Sequence, residues 1–133
     1  MILLDTHVAL WLTLGSSSLG KRSRRIAQQA LAENELAISA VSFWEVAMLI
    51  SKGRLRPPET AHEMRRRILS EGALELPVTG DIAILAGELD DLHADPADRF
   101  IAATAISHDA TLVTADNKLL QWRRSLRRHN AET

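Results

Sequence analysis

Short apolar runs alternate with longer stretches of helical periodicity along this chain. The apolar runs are Ile2–Leu4, 36–38, 73–76 and Thr111–Thr114. Strands that alternate with helical segments in this way are typical of βαβ units, in which a parallel sheet is covered by helices on both faces. The chain is therefore predicted to be an α/β protein with a parallel sheet of at least four strands.

The ends of the predicted helices carry recognisable signals. Thr6 is the predicted cap of the first helix, and Gly15 ends it. Ser42 is predicted to open a helix that runs to Gly53. Asp95 caps a later helix over 97–108, with Pro96 at the first helical position, where its missing N–H costs nothing. Further helices are predicted over Lys21–Ala32, 60–69 and 80–89.

Length and composition favour one globular domain over residues 1–133. Hydrophobic residues make up 46% of the chain and charged residues 25%, which is ordinary for such a domain. The absence of cysteine excludes disulfides and thiolate metal sites. The longest apolar run, 8–12, is too short to span a bilayer, and the start lacks the basic segment of a signal peptide. We therefore expect a cytoplasmic protein without a membrane partner.

Four acidic residues lie where a predicted strand ends or a predicted helix begins, namely Asp5, Glu45, Asp98 and Asp116. In a parallel sheet these ends meet at one edge, where ligands bind. Carboxylates about 4 Å apart repel by about 1 kcal/mol per pair in water and by about 4 kcal/mol at an effective dielectric of 20. A hard divalent cation removes that repulsion, so the pattern predicts a Mg²⁺ or Mn²⁺ site.

Each of these acids also has an ordinary structural explanation. Asp5 and Asp98 suit the positive end of a helix dipole. Glu45 lies three residues after a serine and fits a capping box, and Asp116 fits a turn. The specificity of the prediction therefore lies in the convergence of all four acids on one edge.

Several polar residues flank the four acids and are predicted to contact the substrate or to support the metal ligands. They are Thr6, Ser42, Asp95, Arg99, Thr114 and Asn117. Asp95 competes with Asp98 for a ligand position, but its role as a helix cap favours Asp98. Arg99 is predicted either to hold a phosphate or to form a structural ion pair. His7 has no partner at metal-ligand spacing, so a zinc site is disfavoured.

The basic residues are mostly arginine, and they are clustered. Thirteen of the sixteen are arginine, although the net charge is only −1. The clusters are 22–25, 65–67 and 123–128. Arginine suits phosphate geometry, so the clusters fit an enzyme that acts on a polyanion, and solvated helix faces are the equal alternative. The same C-terminal stretch, from Gln121, is predicted to be an irregular edge strand, a terminal helix or a frayed end.

Taken together, the acidic motifs resemble those of the PIN-domain nucleases, and specifically the VapC-type toxins of toxin–antitoxin pairs. The segments that carry the resemblance are 3–7, 39–47, 95–105 and 112–116. Their order and spacing agree over almost the whole chain. The resemblance implies a three-layer fold with a five-stranded parallel sheet, although the last strand is not obvious in this sequence.

The resemblance also implies a function. Asp5, Glu45, Asp98 and Asp116 fall on the acidic metal-binding positions of the family. The implied activity is Mg²⁺- or Mn²⁺-dependent endoribonuclease action on RNA, which inhibits translation or growth until a cognate VapB-type antitoxin binds. A homodimer, and a heterotetramer or larger assembly with the antitoxin, are implied in the same way. Exposed apolar residues around Trp11, Trp44 and Met48 are candidates for an antitoxin groove, with core burial as the alternative.

The sequence leaves two alternative functions open. A haloacid-dehalogenase-like phosphatase would use Asp5 as nucleophile, but it needs a second acid two residues later, where this chain has His7. A catalytically silent PIN-like binding module is the second rival, and the presence of all four acids argues against it.

Overall fold

Five short strands form a single parallel sheet in the computed structural model, which describes residues 1–92 and 94–133. In chain order the strands are β1 (Ile2–Leu4), β2 (Leu36–Ser39), β3 (Leu74–Leu76), β4 (Thr111–Thr114) and β5 (Arg128–Asn130). Their order across the sheet is β3-β2-β1-β4-β5, and all four pairings are parallel. The predicted α/β fold with a four- to five-stranded parallel sheet is confirmed. His93, for which the sequence indicated only a solvated side chain, lies outside the described residues.

Seven helices connect and cover the strands in the described part of the chain. They are α1 (Thr6–Leu14), α2 (Lys21–Ala32), α3 (Ala40–Ser51), α4 (Ala61–Ser70), α5 (Gly80–Glu88), α6 (Pro96–Ser107) and α7 (Asn117–Leu120). Gly15 ends α1 in the left-handed conformation, with φ of 68°, which glycine adopts without a steric penalty. No helix in residues 1–92 and 94–133 is both long and apolar enough to cross a membrane.

The central strands are apolar on both sides because helices cover both faces of the sheet. In β1, Leu3 packs with α6 residues such as Ile101, whereas Leu4 packs with Val8 of α1 and Ala27 of α2. A continuous apolar run, rather than an alternating one, is what such a doubly covered strand needs. Ala102 and Ala105 of α6 are fully buried in the same cluster as Leu3, so small side chains form the contact of that helix with the sheet.

The strand order places a switch point beside β1. The chain proceeds from β1 to β2 and β3 on one side, and then crosses to β4 and β5 on the other. In open parallel sheets a crevice forms at such a point, outside the carboxyl ends of the two diverging strands. Leu4 is in register with Val113, so the residues that follow β1 and β4 face this crevice together.

Three details of the sequence prediction were wrong or incomplete. Thr6 does not cap α1, because Asp5 occupies the cap position and Thr6 is the first helical residue. Ser42 does not open α3, which begins at Ala40 with the Ser39 hydroxyl accepting the Val41 N–H. Of the three forms considered for the C-terminal stretch, it is the edge strand β5 that is present, preceded by the unpredicted α7.

Candidate metal-binding active site

Asp5 is held between the ends of β1 and β4. Its backbone N–H donates to the Val113 carbonyl at 3.0 Å. Its carboxylate accepts the Thr6 N–H at 2.7 Å through Oδ1 and the Thr114 hydroxyl at 2.6 Å through Oδ2. These contacts orient the side chain, which is only 5% exposed. Burial nevertheless dominates and raises the pKa of Asp5, although the bonds from Thr114 and Thr6 oppose it.

Asp116 lies beside Asp5 and is linked to it through Thr114. The Thr114 hydroxyl accepts the Asp116 N–H at 3.0 Å while it donates to Asp5. Asp116 also caps α7, because its Oδ1 accepts the Lys118 N–H at 2.9 Å. Thr114 therefore fixes the spacing of two acids that come from different strand ends.

Asp98 lies in the first turn of α6 and is not needed to cap that helix. Asp95 is the cap, and its Oδ1 accepts the Asp98 N–H at 3.0 Å. Burial raises the pKa of Asp98 to about 8, and the charges of Asp5, Asp95, Asp116 and Glu45 add to the effect. Asp98 therefore lies close enough to the other three predicted acids for their charges to raise its pKa.

Glu45 enters the same crevice from the second turn of α3. Its side chain is 8% exposed, and its Oε1 has no hydrogen-bond partner among the described residues. Burial raises the pKa of Glu45, and the charges of Asp5 and Asp95 add to the effect while the Thr6 hydroxyl opposes it. Because α3 begins before Ser42, the predicted capping box between Ser42 and Glu45 is wrong, and the carboxylate is left to the site.

Most of the predicted flanking polar residues form hydrogen bonds that hold the site together, and within the described residues the Asn117 side chain does not. The Thr6 hydroxyl donates to Ser42 Oγ at 2.8 Å, which ties the start of α1 to α3 beneath the acids. Asn117 is exposed at the first position of α7, and a contact with substrate stays a prediction. Sequence reasoning undervalued His7, whose charge, when the ring is protonated, lowers the pKa of both Asp5 and Glu45. Its position two residues after Asp5 was the available signal.

Arg99 has a different role from either of those predicted. Its guanidinium donates to backbone carbonyls at the end of α5 and in the following segment, and forms no ion pair in the described structure. The acceptors are Ala86 at 2.9 Å, Gly87 at 3.4 Å, Leu89 at 2.8 Å and Leu92 at 2.7 Å. The predicted ion pair is absent from the described structure, and a phosphate contact stays a prediction, because these carbonyls already accept most of the guanidinium N–H groups. Arg99 instead anchors the start of α6, and with it Asp98.

The donor set of the crevice suits a hard divalent cation. It consists of carboxylate oxygens, one of which is buried and has no hydrogen-bond partner in residues 1–92 and 94–133, and oxygen ligands are what Mg²⁺ and Mn²⁺ prefer. No arginine or lysine forms an ion pair with Asp5, Glu45, Asp98 or Asp116 within the described ranges. In those ranges no three acidic or histidine side chains already lie close enough to enclose one ion. A cation here would accordingly be held in part through water.

Comparison with known proteins places this geometry in a family. The profile of the PIN domain family matches residues 2–124. The chain is 33% identical over 123 residues to Ribonuclease VapC22 of Mycobacterium tuberculosis (strain ATCC 25618 / H37Rv), with 92% of each protein covered.

Solved structures show the same fold. The crystal structure of VapBC2 from Rickettsia felis bound to a DNA fragment from their promoter superposes with a TM-score of 0.72 at 25% identity, over 98% of both chains. FitAcB from Neisseria gonorrhoeae gives a TM-score of 0.65 at 20% identity, again over 98% of both chains. The family match sets the chain apart from the haloacid-dehalogenase-like phosphatases and confirms the resemblance read from its acidic motifs. The chain belongs to the PIN domain family.

Proposed function

We propose that this protein is a Mg²⁺- or Mn²⁺-dependent endoribonuclease that acts as the toxin of a toxin–antitoxin pair. The observation that carries the proposal is the gathering of Asp5, Glu45, Asp98 and Asp116 at the switch point, where no arginine or lysine of the described residues forms an ion pair with them. Repulsion among these carboxylates destabilises the fold. A function that needs negative charge at this place explains why the protein has them there. The name of the relative VapC22, a ribonuclease, supports RNA as the substrate.

Asp5, Asp98 and Asp116 are the proposed ligands of the cation, directly or through water. Asp5 is oriented by Thr114 and Thr6, and the α6 cap Asp95 and Arg99 set the position of Asp98. When bound, a Mg²⁺ or Mn²⁺ ion supplies Lewis acidity that neutralises charge growing on the phosphoryl oxygens and eases deprotonation of water.

Glu45 is the proposed general base. Its buried Oε1 lacks a hydrogen-bond partner in the described structure, so it can accept a proton from the attacking water. Burial raises the pKa of Glu45 toward neutrality, which makes its carboxylate a stronger base than a solvated glutamate. Hydrolysis of the phosphodiester then transfers that proton from water to Glu45 as the water oxygen bonds to phosphorus. The phosphorus–oxygen bond to the leaving group breaks, and the departing oxygen takes up a proton from solvent.

The proposed partner is a VapB-type antitoxin, and the proposed location is the cytoplasm. Structural neighbours of this chain were solved as VapBC2 and FitAcB, which are assemblies rather than isolated chains by their names. A homodimer of this protein, and a heterotetramer or larger complex with the antitoxin, are proposed on the same basis.

Asp98→Asn is the variant that tests the proposed function. We expect cleavage of total cellular RNA in Mg²⁺ or Mn²⁺ to fall by at least about 1,000-fold, because a ligand charge is removed without a change of shape. Expression of the wild type should arrest growth, and expression of the variant should not. Circular dichroism checks that the variant is folded.

Asp109→Asn is the matched control, because Asp109 is an exposed acid paired with Arg127 away from the crevice. It should cleave RNA like the wild type. Undiminished cleavage by Asp98→Asn would overturn the assignment of the site. A wild type that cleaves no RNA with either metal would favour the silent binding module instead.

A further inference from the structure

Trp44 projects from the rim of the active site. It precedes Glu45 in α3, yet its side chain is 54% exposed while Glu45 is buried. Met48, one helical turn later, lies on the same face of α3 as Trp44. An exposed indole is a large apolar surface to leave in water, so its position beside the acids requires an explanation.

A small cleft separates this face of α3 from the start of α6. Its volume is about 130 Å³, and its lining consists of Trp44, Glu45, Met48, Asp95, Pro96 and Ala97. The cleft shares Glu45 with the proposed catalytic group, and Asp95 caps the helix that carries Asp98. The cleft is therefore bordered by one proposed catalytic acid and lies next to the helix cap that positions another.

The chemistry of the cleft selects the kind of group that can occupy it. Indole, thioether and proline groups supply its apolar lining, and the acidic residues Glu45 and Asp95 supply its polar lining. An anionic group is repelled by those carboxylates. A neutral planar ring with N–H donors on its edge can stack on the indole and donate to the carboxylates, and a nucleobase has these properties.

We propose that Trp44 is the stacking platform for the nucleobase that flanks the phosphate to be hydrolysed, with Met48 and Pro96 completing its pocket. The inference rests on the proposed function and adds a base-binding subsite to it. Base stacking on an aromatic side chain tolerates several bases, whereas the carboxylates of the cleft lining favour bases that carry an exocyclic amino group. A protein segment is the competing occupant. The nucleobase is favoured because the cleft is small and is lined by Glu45 of the proposed catalytic group.

Cleavage kinetics of three variants test the subsite. Trp44→Ala should lower kcat/KM on single-stranded RNA by about 5- to 150-fold, mainly through KM, because the loss of one stacked base is felt in binding. Trp44→Phe should retain most of the wild-type kcat/KM because an aromatic face remains. Leu14→Ala is the matched control, since Leu14 is an apolar residue of similar exposure at the end of α1. It should leave kcat/KM unchanged.

Tryptophan fluorescence gives a readout that does not need cleavage. Trp122 is 4% exposed and Trp11 is half-buried, so Trp44 is the most accessible of the three indoles. An oligoribonucleotide of mixed sequence should quench the emission of the Asp98→Asn protein in Mg²⁺. The same oligoribonucleotide should not quench the double variant that also carries Trp44→Phe.

The possible failures are distinguishable. RNA cleavage by the wild type with unchanged kcat/KM in Trp44→Ala would overturn the subsite alone. Absence of cleavage by the wild type would overturn the proposed function, and quenching that depends on Trp44 would then still support base binding. Unchanged kinetics together with a shift from dimer to monomer in sedimentation of Trp44→Ala would overturn the proposal by making the cleft a protein contact.

Discussion

Acidic residues in the crevice and acidic residues elsewhere in this protein have opposite surroundings. In the edge strand β3, Glu75 accepts two hydrogen bonds from Arg65, at 2.7 and 2.8 Å, and the arginine lowers the pKa of that carboxyl. In the crevice, burial and neighbouring acids raise the pKa of Asp98 and Glu45. The fold thus neutralises acids where they only stabilise it and leaves them crowded at the candidate site.

The contrast also explains the arginine clusters. Arg67 pairs with Glu59, Arg124 with Asp91 at 2.7 Å, and Arg127 with Asp109 at 2.9 Å. The sequence had suggested either phosphate binding or solvated helix faces for these clusters. Several of their members instead have acidic partners, so much of the positive charge is used within the molecule.

The largest change in stability is expected from Asp98→Asn without metal at alkaline pH. The pKa of Asp98 is raised from 3.8 to about 8 in the folded state, so the folded protein holds a proton that the unfolded chain releases. The resulting stabilisation is complete below the unfolded pKa and is lost as pH rises toward 8. Because Asp98 is partly solvated, we expect the variant to gain about 2 kcal/mol at about pH 8.5 and less at about pH 5.

Urea unfolding in EDTA at the two pH values measures this difference. Asp109→Asn, which removes a paired acid, should show no such gain. Equal effects of Asp98→Asn at both pH values would contradict the raised pKa of Asp98, and with it the difference between the crowded acids of the crevice and the paired acids elsewhere.

A smaller effect is expected from divalent metal on the wild type. A cation that binds only the folded protein should add about 1.4 kcal/mol to the free energy of unfolding at ten times its Kd. Thermal melts in Mg²⁺ or Mn²⁺, against KCl of matched ionic strength, measure it. The increase should be lost in Asp98→Asn. An equal increase in KCl would mean that general screening, rather than a site, relieves the repulsion.

The smallest effect, with the opposite sign, is expected from Glu75→Gln. The pKa of Glu75 is lowered by Arg65, so the pair stabilises the fold above the usual glutamate pKa of 4.5 and loses that effect as pH falls through the lowered value. The pair is partly solvated, so Tm at pH 7 should fall by no more than about 2 °C. Thermal melts at pH 7 and about pH 3 should show the difference shrinking in acid. A gain in Tm would contradict the assigned pairing.

Much of the architecture was predictable because its signals are local. Apolar runs marked β1, β2 and β4 correctly, and Asp95 with Pro96 marked the start of α6. The strand β5 was harder to predict from the sequence, because Arg128–Asn130 carries no apolar pattern. This strand is held in the sheet by parallel pairing with Leu112–Thr114 of β4. Such a tertiary contact does not produce a periodic pattern in the sequence.

The candidate site was predictable in membership but not in detail. The four acids follow from where strands end and helices begin, and the structure brings them into one electrostatic field. The partners of Arg99 and Ser42 were not predictable, because they are a set of backbone carbonyls and a distant hydroxyl. Neither partner can be inferred from the residues that surround Arg99 and Ser42 in the sequence.

The hydrogen bond from Thr114 to Asp5 joins residues 109 positions apart. During synthesis Asp5 leaves the ribosome about a hundred residues before β4 and Asp116. The crevice is therefore incomplete on every nascent chain that has not yet extended past Asp116. In the proposed nuclease, a chain that is still being made would accordingly hold no complete acidic site until β4 has paired with β1.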